Sequence, residues 1–578
     1  MITLGINSAY HEVAVAVVRD GVLVAAIEQE RINRIKKGKV VTFESVSYLP
    51  YEAIDLVLSI ASAEFKDVDL IGFSYQPERR YTSVTEYQYP YPIPTSRGAN
   101  PINERRMRDF ALKAGEFASL RYGVDVTSRW RNYPHHKCHA ASAYHLSGYS
   151  NAAVLVADGI GEFDSTTRWH GKEGTLNLLH TTPYPHSLGF LWEYITTFLG
   201  FRRTHDEYKV MGLAAYGDPN RFMDEFTCFF KINDQGFFID ESILRFRGAD
   251  MSALEKLLGP RRYSHEPLKY TGQDTHHADI AATLQRLTTQ AILDQARFCA
   301  EETNARVLCM AGGVALNCVT NGQLAEFNIF DDIWIQPASH DAGTAVGAAT
   351  LAWHELTGQV GVKCSAPAFL GPQYGDFEIE QLLIAWRLPY RRLNGDAELI
   401  VDRLADGQVL ARFDGRMEFG PRALGNRSII GDPRSPEIRE TINAKIKRRE
   451  LFRPLCPSVL SESIYEWFDV PKPMPSAARY MLMTFKIHAE QASRVPAIVH
   501  EDGTARIQAV DVNEAPKFHQ LIEAFANRTG VPMLLNTSFN SQEPIVCTPE
   551  HALRTFLETD LDGLVMGDFL VDRPQYND

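Results

Sequence analysis

The chain has 578 residues, of which 45% are hydrophobic and 23% charged. This composition is typical of globular proteins and excludes a largely disordered chain, and the length predicts at least two hydrophobic cores. Lys and Arg number 59 against 72 Asp and Glu, for a net charge of −13, which argues against broad electrostatic capture of nucleic acid or an anionic membrane. We therefore expect neither as a partner.

The compartment is indicated by the cysteines and by the first residues. The eight cysteines are scattered through apolar segments, and none forms a Cys-x-x-Cys pair. No apolar run approaches the length of a membrane span, and the chain starts on a strand pattern without the basic region of a signal peptide. We expect reduced, mostly buried thiols and a cytoplasmic location.

A strand pattern occurs twice, about 150 residues apart. Each copy reads strand, polar Gly loop, strand, tight turn, strand, and the predicted strands are residues 2–6, 13–18 and 22–27, then 152–157, 165–170 and 175–179. One copy alone is best explained as an ordinary hairpin. The duplication predicts two lobes of related design, in which the Gly loops could wrap phosphate with backbone N–H groups.

Two histidines between the copies have the spacing of metal ligands. His135 and His139 stand at i and i+4 in a predicted helix, so their imidazoles share one face. Asp158 and Asp341 each follow a predicted buried strand and open a Gly loop, and they could complete the site. Nitrogen with carboxylate ligation suits iron, manganese or zinc. The spacing alone also occurs in helices that bind no metal.

Other histidines have simpler interpretations. His136 and His145 are expected at the surface or behind the ligands. His276 and His277 are adjacent, so they point apart on a helix and read as a solvated cap. The helix that follows, over 278–300, has apolar residues at helical spacing.

Several elements before residue 356 could meet a nucleotide. A predicted buried strand over 306–310 runs into Gly312-Gly313, a tight turn where backbone comes close to a ligand. The stretch 202–217 combines charged residues with small ones. Its Lys209 could pair with a phosphate or lie on the surface beside a buried helix.

A Gly- and Pro-rich stretch, 357–376, predicts the linker between a first domain of 1–356 and a second of 377–578. The second domain is α/β, begins with a helix near Phe377, and its last residues could pack back on the first domain.

The second domain carries the densest group of cations. Arg422 stands between Gly-Pro and Ala-Leu-Gly, and Arg453 stands between Phe and Pro. Such neighbours fix the backbone and favour a placed guanidinium that binds phosphate or carboxylate with both arms. An exposed helix face explains Lys445, Arg448 and Arg449, whereas we keep Lys447 for function.

A later strand pattern in this domain opens into a polar loop. The sequence Leu534-Leu535-Asn536-Thr537-Ser538 offers donors for phosphate or ribose. Asn536 and Ser538 are therefore predicted at the anion site.

These segments together resemble one enzyme family. The matching stretches are GINSAYHE, HHKCHAASAYH, VADGIGE, YKVMGLAAYG, MAGGVALN, PASHDAGTAVGAA, FGPRALGNRSI, FRPLCPSVL, VHEDGTARIQAV and LNTSFN. In this order they are similar to the O-carbamoyltransferase family, which includes the tobramycin, cephamycin and nodulation-factor carbamoyltransferases. The resemblance runs from residue 4 to about 570.

The resemblance implies two folds and two reactions. The first domain would be a duplicated actin/sugar-kinase-like domain similar to tRNA threonylcarbamoyl-transferase. The second would be similar to threonylcarbamoyl-adenylate synthase. By this resemblance the second domain makes carbamoyl-adenylate from carbamoyl phosphate and ATP. The first domain then transfers the carbamoyl group to an alcohol of a natural product, such as an antibiotic or its sugar, and releases AMP.

Residue roles implied by the resemblance follow its motifs. The metal ligands fall on His135, His139, Asp158 and Asp341, and the transfer-site histidine falls on His11. Glu12 stands where the family commonly has Asp, which puts its role in orienting His11 in question. The carbamoyl phosphate and ATP site is expected at Arg422, Lys447, Arg453, Arg506, Asn536 and Ser538. The nucleotide site of the first domain is expected at Gly159, Gly161, Lys209, Gly212, Gly312, Gly313 and Asn317.

A segment rich in Tyr and Pro, 75–94, is a candidate acceptor site. Tyr side chains stack on sugar rings and apolar skeletons at low entropic cost, so Tyr81, Tyr87 and Tyr89 are predicted to line it. A Pro-stiffened surface excursion explains the segment equally well.

The expected cofactors are ATP with Mg²⁺ and a divalent metal at the transfer site, with iron first and manganese or zinc as alternatives. The expected partners are carbamoyl phosphate, ATP and the alcohol acceptor, and the resemblance implies a homodimer. Two other functions fit parts of the pattern: a tRNA-modifying enzyme of the threonylcarbamoyl type, and a nucleotide-binding sugar-kinase-like protein without carbamoyl chemistry. A hydrogenase-maturation carbamoyltransferase would add paired Cys-x-x-Cys zinc fingers, which this chain lacks.

Overall fold

The computed structural model describes residues 1–40, 45–95, 98–233, 236–248 and 250–574. The chain divides into two compact units. The first comprises Met1–Gln29 and Lys37–Cys364, and the second comprises Glu30–Lys36 and Ser365–Asp578. The division falls inside the stretch 357–376. Residues 30–36, which the sequence pattern assigns to the first domain, belong to the second unit.

The strands of the first unit are β1 Ile2–Asn7, β2 Ala14–Arg19, β3 Val22–Glu28, β4 Leu70–Phe73, β5 Trp130–Asn132, β6 Asn151–Ala157, β7 Asp164–Lys172, β8 Thr175–Pro183, β9 Phe230–Asn233, β10 Gly236–Ile239, β11 Val307–Ala311 and β12 Asp332–Ile335. Those of the second are β13 Tyr390–Arg392, β14 Leu410–Phe413, β15 Arg427–Gly431, β16 Cys456–Leu460, β17 Met483–Lys486, β18 Thr504–Val510, β19 Met533–Ser538, β20 Gly563–Met566 and β21 Phe569–Val571.

The helices before residue 360 are α1 Glu30–Asn33, α2 Tyr51–Ile60, α3 Pro77–Glu86, α4 Pro101–Leu112, α5 Ala114–Tyr122, α6 His135–Ser147, α7 Leu188–Phe198, α8 Glu207–Leu213, α9 Met223–Thr227, α10 Ser252–Leu258, α11 His276–Thr303, α12 Cys318–Glu326 and α13 Ala342–Thr357. Those after it are α14 Asp376–Ala385, α15 Glu398–Ala405, α16 Pro436–Glu440, α17 Ile464–Trp467, α18 Ala489–Ala492, α19 Pro516–Thr529 and α20 Pro549–Glu558, and Thr441–Ile446 forms a π-helical turn.

The duplication predicted from the sequence is confirmed by the sheets. The first sheet has the order β3-β2-β1-β4-β5 and the second has the order β12-β11-β6-β7-β8. In each, three antiparallel strands are followed by two parallel ones: β4 pairs with β1 and β5 with β4, as β11 pairs with β6 and β12 with β11. The two sheets therefore share one topology, as the two strand patterns require.

Small residues let α13 pack closely on both its neighbours in the first unit. A Cβ at Gly5 in β1 would overlap the backbone of Ala345 and Ala349, and a Cβ at Gly347 would overlap the carbonyl of Cys138 in α6. Glycine is the residue that allows such an approach of two backbones. The close packing places the first turn of α6 beside the start of α13.

The second unit is built on a nine-stranded sheet with the order β13-β21-β20-β14-β15-β19-β16-β18-β17. In its centre, β15 is antiparallel to β14 and β19, and β19 is antiparallel to β16. The loop before β15 carries Arg422, and the polar end of β19 carries Asn536 and Ser538. The predicted α/β class is confirmed in both units.

Several local predictions are corrected by burial. His136 is 1% exposed and His145 is 8% exposed, so neither lies at the surface. His277 is also buried, and its Nδ1 accepts the backbone N–H of Lys269 at 2.9 Å. Arg449 is half-buried and its Nε donates to Asn443 Oδ1 at 2.7 Å, whereas Lys445 and Arg448 are exposed as predicted.

All eight cysteines are free; Cys228 is exposed, Cys364 is half-buried and the others are buried. Among the described residues, no helix combines the length and the apolar character that a membrane crossing requires.

Candidate active site

The four predicted metal ligands meet at the edge of the second sheet of the first unit. His135 and His139 lie in the first turns of α6, Asp158 follows β6, and Asp341 directly precedes α13. One ligand atom from each lies within 4.8 Å of the others, and all four residues are buried. The helix spacing and the two strand ends thus produce one cluster.

The distances in this cluster suit a shared cation better than direct hydrogen bonds. His135 Nε2 lies 3.4 Å from Asp341 Oδ1 and 3.7 Å from Asp158 Oδ2, and His139 Nε2 lies 3.6 and 3.8 Å from the same two oxygens. Hydrogen bonds between such atoms are close to 2.8 Å. Ligands about 2.1 Å from one ion at tetrahedral angles are about 3.4 Å apart.

The unsatisfied atoms give an independent reason to expect a cation. Among the described residues, His135 Nε2 and both ring nitrogens of His139 are buried without a hydrogen-bond partner. His135 Nδ1 lies 3.1 Å from the carbonyl of Ser74, which leaves the Nε2 lone pair for a ligand. Because buried polar atoms are nearly always paired, the donor set fits a divalent metal.

The electrostatics keep both carboxylates ionised. Burial alone raises the pKa of Asp158, and Asp341 adds to this, but His135 and His139 outweigh both and lower the pKa to about 2. Burial acts on Asp341 in the same direction, and His11 and His135 hold the pKa of Asp341 well below its usual range.

Glu162 supports the cluster and was missed in the sequence. Its Oε1 accepts the backbone N–H of His135 at 3.0 Å and that of Gln76 at 2.9 Å. Glu162 is fully buried, and burial raises the pKa of its carboxyl. The residue ends the segment VADGIGE, and it satisfies the first backbone donor of α6, where the metal-ligand helix begins.

His11 adjoins the metal cluster through Asp341. One oxygen of Asp341 faces the ligands, and the other lies 3.4 Å from His11 Nδ1. The same nitrogen is hydrogen-bonded to Glu12, whose other oxygen lies 3.1 Å from Lys37 Nζ. Burial, followed by the charge of Lys37, lowers the pKa of His11. Glu12 therefore contacts His11 despite its extra methylene.

Backbone strain is present at this turn. Glu12 has φ 47°, in the left-handed region that is costly for a residue with a side chain. Asn7 Nδ2 holds the turn by donating to the carbonyls of His11 at 3.0 Å and Glu12 at 2.9 Å.

The Gly loops pack around Asp158. Gly313 N–H donates to Asp158 Oδ1 at 2.9 Å, so the carboxylate is held on one side while Oδ2 faces the imidazoles. Gly312 has φ 93°, and a Cβ there would overlap the carbonyl of Ala157. The carbonyl of Gly159 accepts Ser187 Oγ at 2.6 Å, and that of Gly161 accepts Tyr10 Oη at 2.6 Å.

The side chains of Lys209 and Asn317, two other predicted nucleotide residues, contact residues outside the Gly loops. Lys209 Nζ lies 3.2 Å from Asp206 and over the ring of Phe201. Gly212 lies inside α8. Asn317 caps the N-terminus of α12, where its Oδ1 accepts the N–H of Thr320 at 3.1 Å.

Two of the three predicted acceptor tyrosines belong to an aromatic cluster. Tyr87 and Tyr89 lie 4.8 Å apart between ring centroids, and each contacts the ring of Tyr184. Glu241 joins the cluster through three hydrogen bonds. Its carboxylate accepts the hydroxyl of Tyr87 at 2.9 Å, that of Tyr91 at 2.6 Å and that of Tyr184.

Tyr81 is separate from this cluster. It lies in α3, with the guanidinium of Arg108 4.6 Å from its ring centroid. Arg247 instead joins the aromatic cluster, with its guanidinium 4.7 Å from the ring of Phe190 and 5.6 Å from that of Tyr184.

In the second unit, Glu418 fixes the loop that carries Arg422. Its Oε1 accepts the backbone N–H groups of Leu424 at 2.7 Å, Asn426 at 2.9 Å and Arg427 at 3.2 Å. Three amides on one buried oxygen hold the backbone on both sides of the turn. Glu418 directly precedes the segment FGPRALGNRSI, and its role depends on contacts that sequence spacing does not show.

Lys447 organises the polar end of β19. Its buried Nζ donates to Ser538 O and Asn540 O, both at 2.7 Å, and lies 2.5 Å from Asn540 Oδ1 and 3.1 Å from Ser538 Oγ. Burial, then Arg449 and Arg453, lower the pKa of Lys447. The three N–H donors of the ammonium are thus occupied by protein oxygens.

The remaining predicted anion residues surround this end of the sheet. Arg453 lies 3.6 Å from Glu450, and Arg506 Nε lies 3.1 Å from Cys456 Sγ. Asn536 Nδ2 donates to Ser458 Oγ at 2.9 Å, while its buried Oδ1 is without a hydrogen-bond partner among the described residues.

Solved structures match this chain with low TM-scores. Component A of (R)-2-hydroxyglutaryl-CoA dehydratase from Acidaminococcus fermentans has a TM-score of 0.33 at 17% identity, over 61% of this chain and 98% of that one. HypF from T. kodakarensis has a TM-score of 0.33 at 16% identity, over 62% of this chain and 48% of that one.

Sequence relatives are much closer. Nodulation protein NolNO of Sinorhizobium fredii (strain NBRC 101917 / NGR234) is 37% identical over 98% of this chain and 80% of its own length. Nodulation protein NolO of Bradyrhizobium diazoefficiens is 39% identical over 76% of this chain and 78% of its own. An uncharacterized protein of Synechocystis is 36% identical over 98% and 96%.

Two family profiles match the chain in order. The profile described as Carbamoyltransferase N-terminus matches residues 2–350, and the one described as Carbamoyltransferase C-terminus matches residues 401–573. Together they span both units that carry the candidate sites. The chain belongs to the carbamoyltransferase family and is a carbamoyltransferase enzyme.

Proposed function

We propose that the enzyme moves the carbamoyl group of carbamoyl phosphate to a hydroxyl of a natural product, with carbamoyl-adenylate as the intermediate and ATP as the source of its adenylyl group. The observation that carries the proposal is the convergence of four buried metal-ligand side chains with His11 through the shared carboxylate of Asp341. This arrangement offers a proton acceptor next to a site for a bound phosphate.

The first reaction is assigned to the second unit. Water cleaves carbamoyl phosphate to carbamate and phosphate, and a carbamate oxygen then attacks the α-phosphorus of ATP. The bond to the β-phosphate breaks, and pyrophosphate leaves. Arg422, Arg453 and Arg506 are proposed to bind the phosphates, because planar guanidinium groups recognise phosphate with two parallel hydrogen bonds. Asn536 Oδ1 is an unsatisfied acceptor for an N–H of the substrate.

Lys447 is not proposed to contact a phosphate directly. Its ammonium is saturated by Ser538 and Asn540. It fixes the polar groups of this loop, among them Ser538 Oγ.

Transfer is assigned to the first unit. The acceptor oxygen attacks the carbamoyl carbon, the bond from that carbon to the phosphate oxygen breaks, and AMP leaves. The contacts of His11 Nδ1 with Glu12 and Asp341 assign its proton to Nδ1, so Nε2 is free to take the hydroxyl proton. Lys37 holds Glu12 from the other side.

A divalent cation held by His135, His139, Asp158 and Asp341 would stabilise the negative charge on the departing AMP phosphate. The two imidazoles and two carboxylates suit iron, with manganese and zinc as alternatives. Mg²⁺ is proposed to accompany ATP in the second unit. The loops at Gly159 and Gly313 are proposed to contact the nucleotide with their backbones.

The acceptor is proposed to meet the aromatic cluster of Tyr87 and Tyr89. Tyrosine rings offer flat surfaces for a sugar or an apolar skeleton, and Glu241 holds their neighbours in place through hydroxyl hydrogen bonds. An antibiotic or its sugar is a matching class of natural product. The eight free thiols support a reducing, cytoplasmic setting for the reaction.

The proposal is tested by incubating the enzyme with carbamoyl phosphate, ATP and Mg²⁺, with each of Fe²⁺, Mn²⁺ and Zn²⁺, and measuring pyrophosphate. Adding a panel of alcohols should then release AMP and give a carbamate ester. Absence of pyrophosphate under every metal would exclude the adenylate route. Formation of ADP in place of AMP would indicate a kinase-like reaction.

A further inference from the structure

One cation at the aromatic cluster of the first unit, Arg247, has no role in the chemistry assigned above. Its guanidinium carbon lies 4.7 Å from the ring centroid of Phe190 and 5.6 Å from that of Tyr184. Its backbone N–H donates to the hydroxyl of Tyr91 at 3.2 Å. The main chain and the side chain therefore both fix Arg247 at this cluster.

The half-buried side chain of Arg247 makes no hydrogen bond or ion pair with another described residue, and its Nε is buried without a partner. A guanidinium carries five N–H donors, and buried donors are nearly always paired. The ring faces attract its positive charge, but they do not replace the oxygen acceptors that these donors prefer. The donors of Arg247 are thus available to a ligand.

The two buried carboxylates at this cluster have other partners. Glu241 accepts the hydroxyls of three tyrosines. Glu104 Oε1 and Arg247 Nη1 lie 3.9 and 3.4 Å from the position that a Cβ on Gly98 would take. However, Arg80 binds both oxygens of Glu104, with Nε donating to Oε2 at 3.0 Å and Nη2 donating to Oε1 at 2.8 Å. Neither carboxylate forms an ion pair with Arg247.

Phe190 connects Arg247 with the metal-ligand cluster. The ring whose face meets the guanidinium also approaches Gly159, because its Cε1 lies 3.7 Å from the position that a Cβ on Gly159 would take. Gly159 directly follows Asp158, a candidate metal ligand. One phenyl ring therefore separates Arg247 from the metal-ligand loop, and a single small molecule can extend over both.

This combination of groups indicates what kind of molecule the cluster binds. Aromatic walls with a few placed polar groups are typical of small-molecule sites, and a planar guanidinium binds a carboxylate with two parallel hydrogen bonds. We propose that Arg247 binds a carboxylate of the alcohol acceptor, so that the acceptor is an acidic natural product, such as a uronic acid glycoside, whose ring packs on the aromatic cluster.

This inference rests on the proposed function, which identifies the ligand of the cluster as the acceptor. The other anion that the proposed function brings to the first unit is the phosphate of carbamoyl-adenylate. AMP carries that phosphate, so it serves as the probe for this second source.

The test measures binding to full-length protein by calorimetry, with phenyl glucuronide and phenyl glucoside as probes. The two probes share the phenyl ring and the sugar ring and differ by a carboxylate in place of a hydroxymethyl group. The proteins compared are wild type, Arg247→Gln, Arg247→Lys and the control Arg108→Gln. Arg108 also lies over a tyrosine ring, but it is paired with Asp109 at 3.0 Å.

Wild type should bind phenyl glucuronide roughly tenfold or more tightly than phenyl glucoside, because only the glucuronide forms the charge-assisted contact. Arg247→Gln should lose this preference and keep its affinity for the glucoside within about twofold. Arg247→Lys keeps the charge without the planar fork and should retain part of the preference. Arg108→Gln should match wild type.

Equal binding of the two probes by wild type, binding of neither probe, or an unchanged preference in Arg247→Gln would overturn the inference. AMP should bind wild type and Arg247→Gln equally within about twofold. Weaker binding of AMP in the variant would assign the guanidinium to the adenylate phosphate and would also overturn it. If wild type releases no pyrophosphate and forms no carbamate ester, the proposed function fails, while the binding of the two probes still decides whether Arg247 holds a carboxylate.

Discussion

Glu162 offers a quantitative test of how the metal-ligand helix is held. In Glu162→Ala, the backbone N–H groups of His135 and Gln76 lose the Oε1 acceptor that they share. Each buried N–H left unsatisfied costs about 1–3 kcal/mol, so the unfolding free energy of the first unit should fall by about 2–6 kcal/mol. Glu162→Gln keeps an oxygen at the same place and should cost less than about 1 kcal/mol, because the carboxylate itself is disfavoured by burial.

The assay is urea unfolding of chelator-treated protein, followed by fluorescence, with wild type, Glu162→Ala and Glu162→Gln compared. The two units can unfold in separate transitions, and the change is expected in only one of them. Zinc affinity, measured by competition with a chelating dye, should fall in the Ala variant and stay near wild type in the Gln variant. Equal stability of the two variants would refute the idea that these two hydrogen bonds fix the start of α6.

Three further outcomes are expected. His139→Ala should abolish carbamoyl transfer but leave pyrophosphate release within about twofold; loss of both would mean that the two reactions are not separable. Arg427 donates to the carbonyls of Asp414 and Asn426, both at 2.9 Å, and its guanidinium stacks 3.8 Å from the ring centroid of Phe413. Arg427→Lys should therefore destabilise the second unit by about 2 kcal/mol or more. An unchanged thermal transition would contradict this expectation. Burial lowers the pKa of His145 to about 4, so the unfolded state takes up a proton before the folded state as the pH falls below 6.5. The free energy of unfolding should therefore decline between pH 6.5 and pH 4, by about 3 kcal/mol from this group. His145→Gln should flatten that decline, and an unchanged pH profile from urea unfolding would exclude His145 as its source.

The topology and the grouping of the four candidate metal ligands were accessible from sequence because they depend on local patterns. The duplicated strand pattern predicts two sheets with one topology, and the sheet of β1–β5 and the sheet of β6, β7, β8, β11 and β12 have it. His135 and His139 follow from helix periodicity, and Asp158 and Asp341 follow from the ends of buried strands.

The supporting residues were not accessible, because their contacts join positions far apart in the chain. Glu162 binds the amide of Gln76, 86 residues away. Arg31 binds Gly420 across 389 residues, which the boundary at 356 did not anticipate. Tyr81 lies in the same Tyr- and Pro-rich segment as Tyr87 and Tyr89, but it belongs to α3, where its ring packs against Arg108. Composition alone does not distinguish it from Tyr87 and Tyr89.

His136 and His145, which were expected at the surface or behind the ligands, show the same limit. Both are buried in α6, where Thr167 and Thr350 provide hydrogen-bond partners at 3.1 and 3.2 Å. Burial of a polar residue depends on such partners, which are distant in sequence.

The proposed function requires one chain to adenylate the carbamoyl group and then to transfer it. The most direct measurement uses ATP labelled at the α-phosphorus and carbamoyl phosphate labelled at carbon, with metal-loaded enzyme and an alcohol that it accepts. We expect AMP, pyrophosphate and labelled carbamate ester in equal amounts. Formation of labelled ester without ATP, or with ADP in place of AMP, would contradict it.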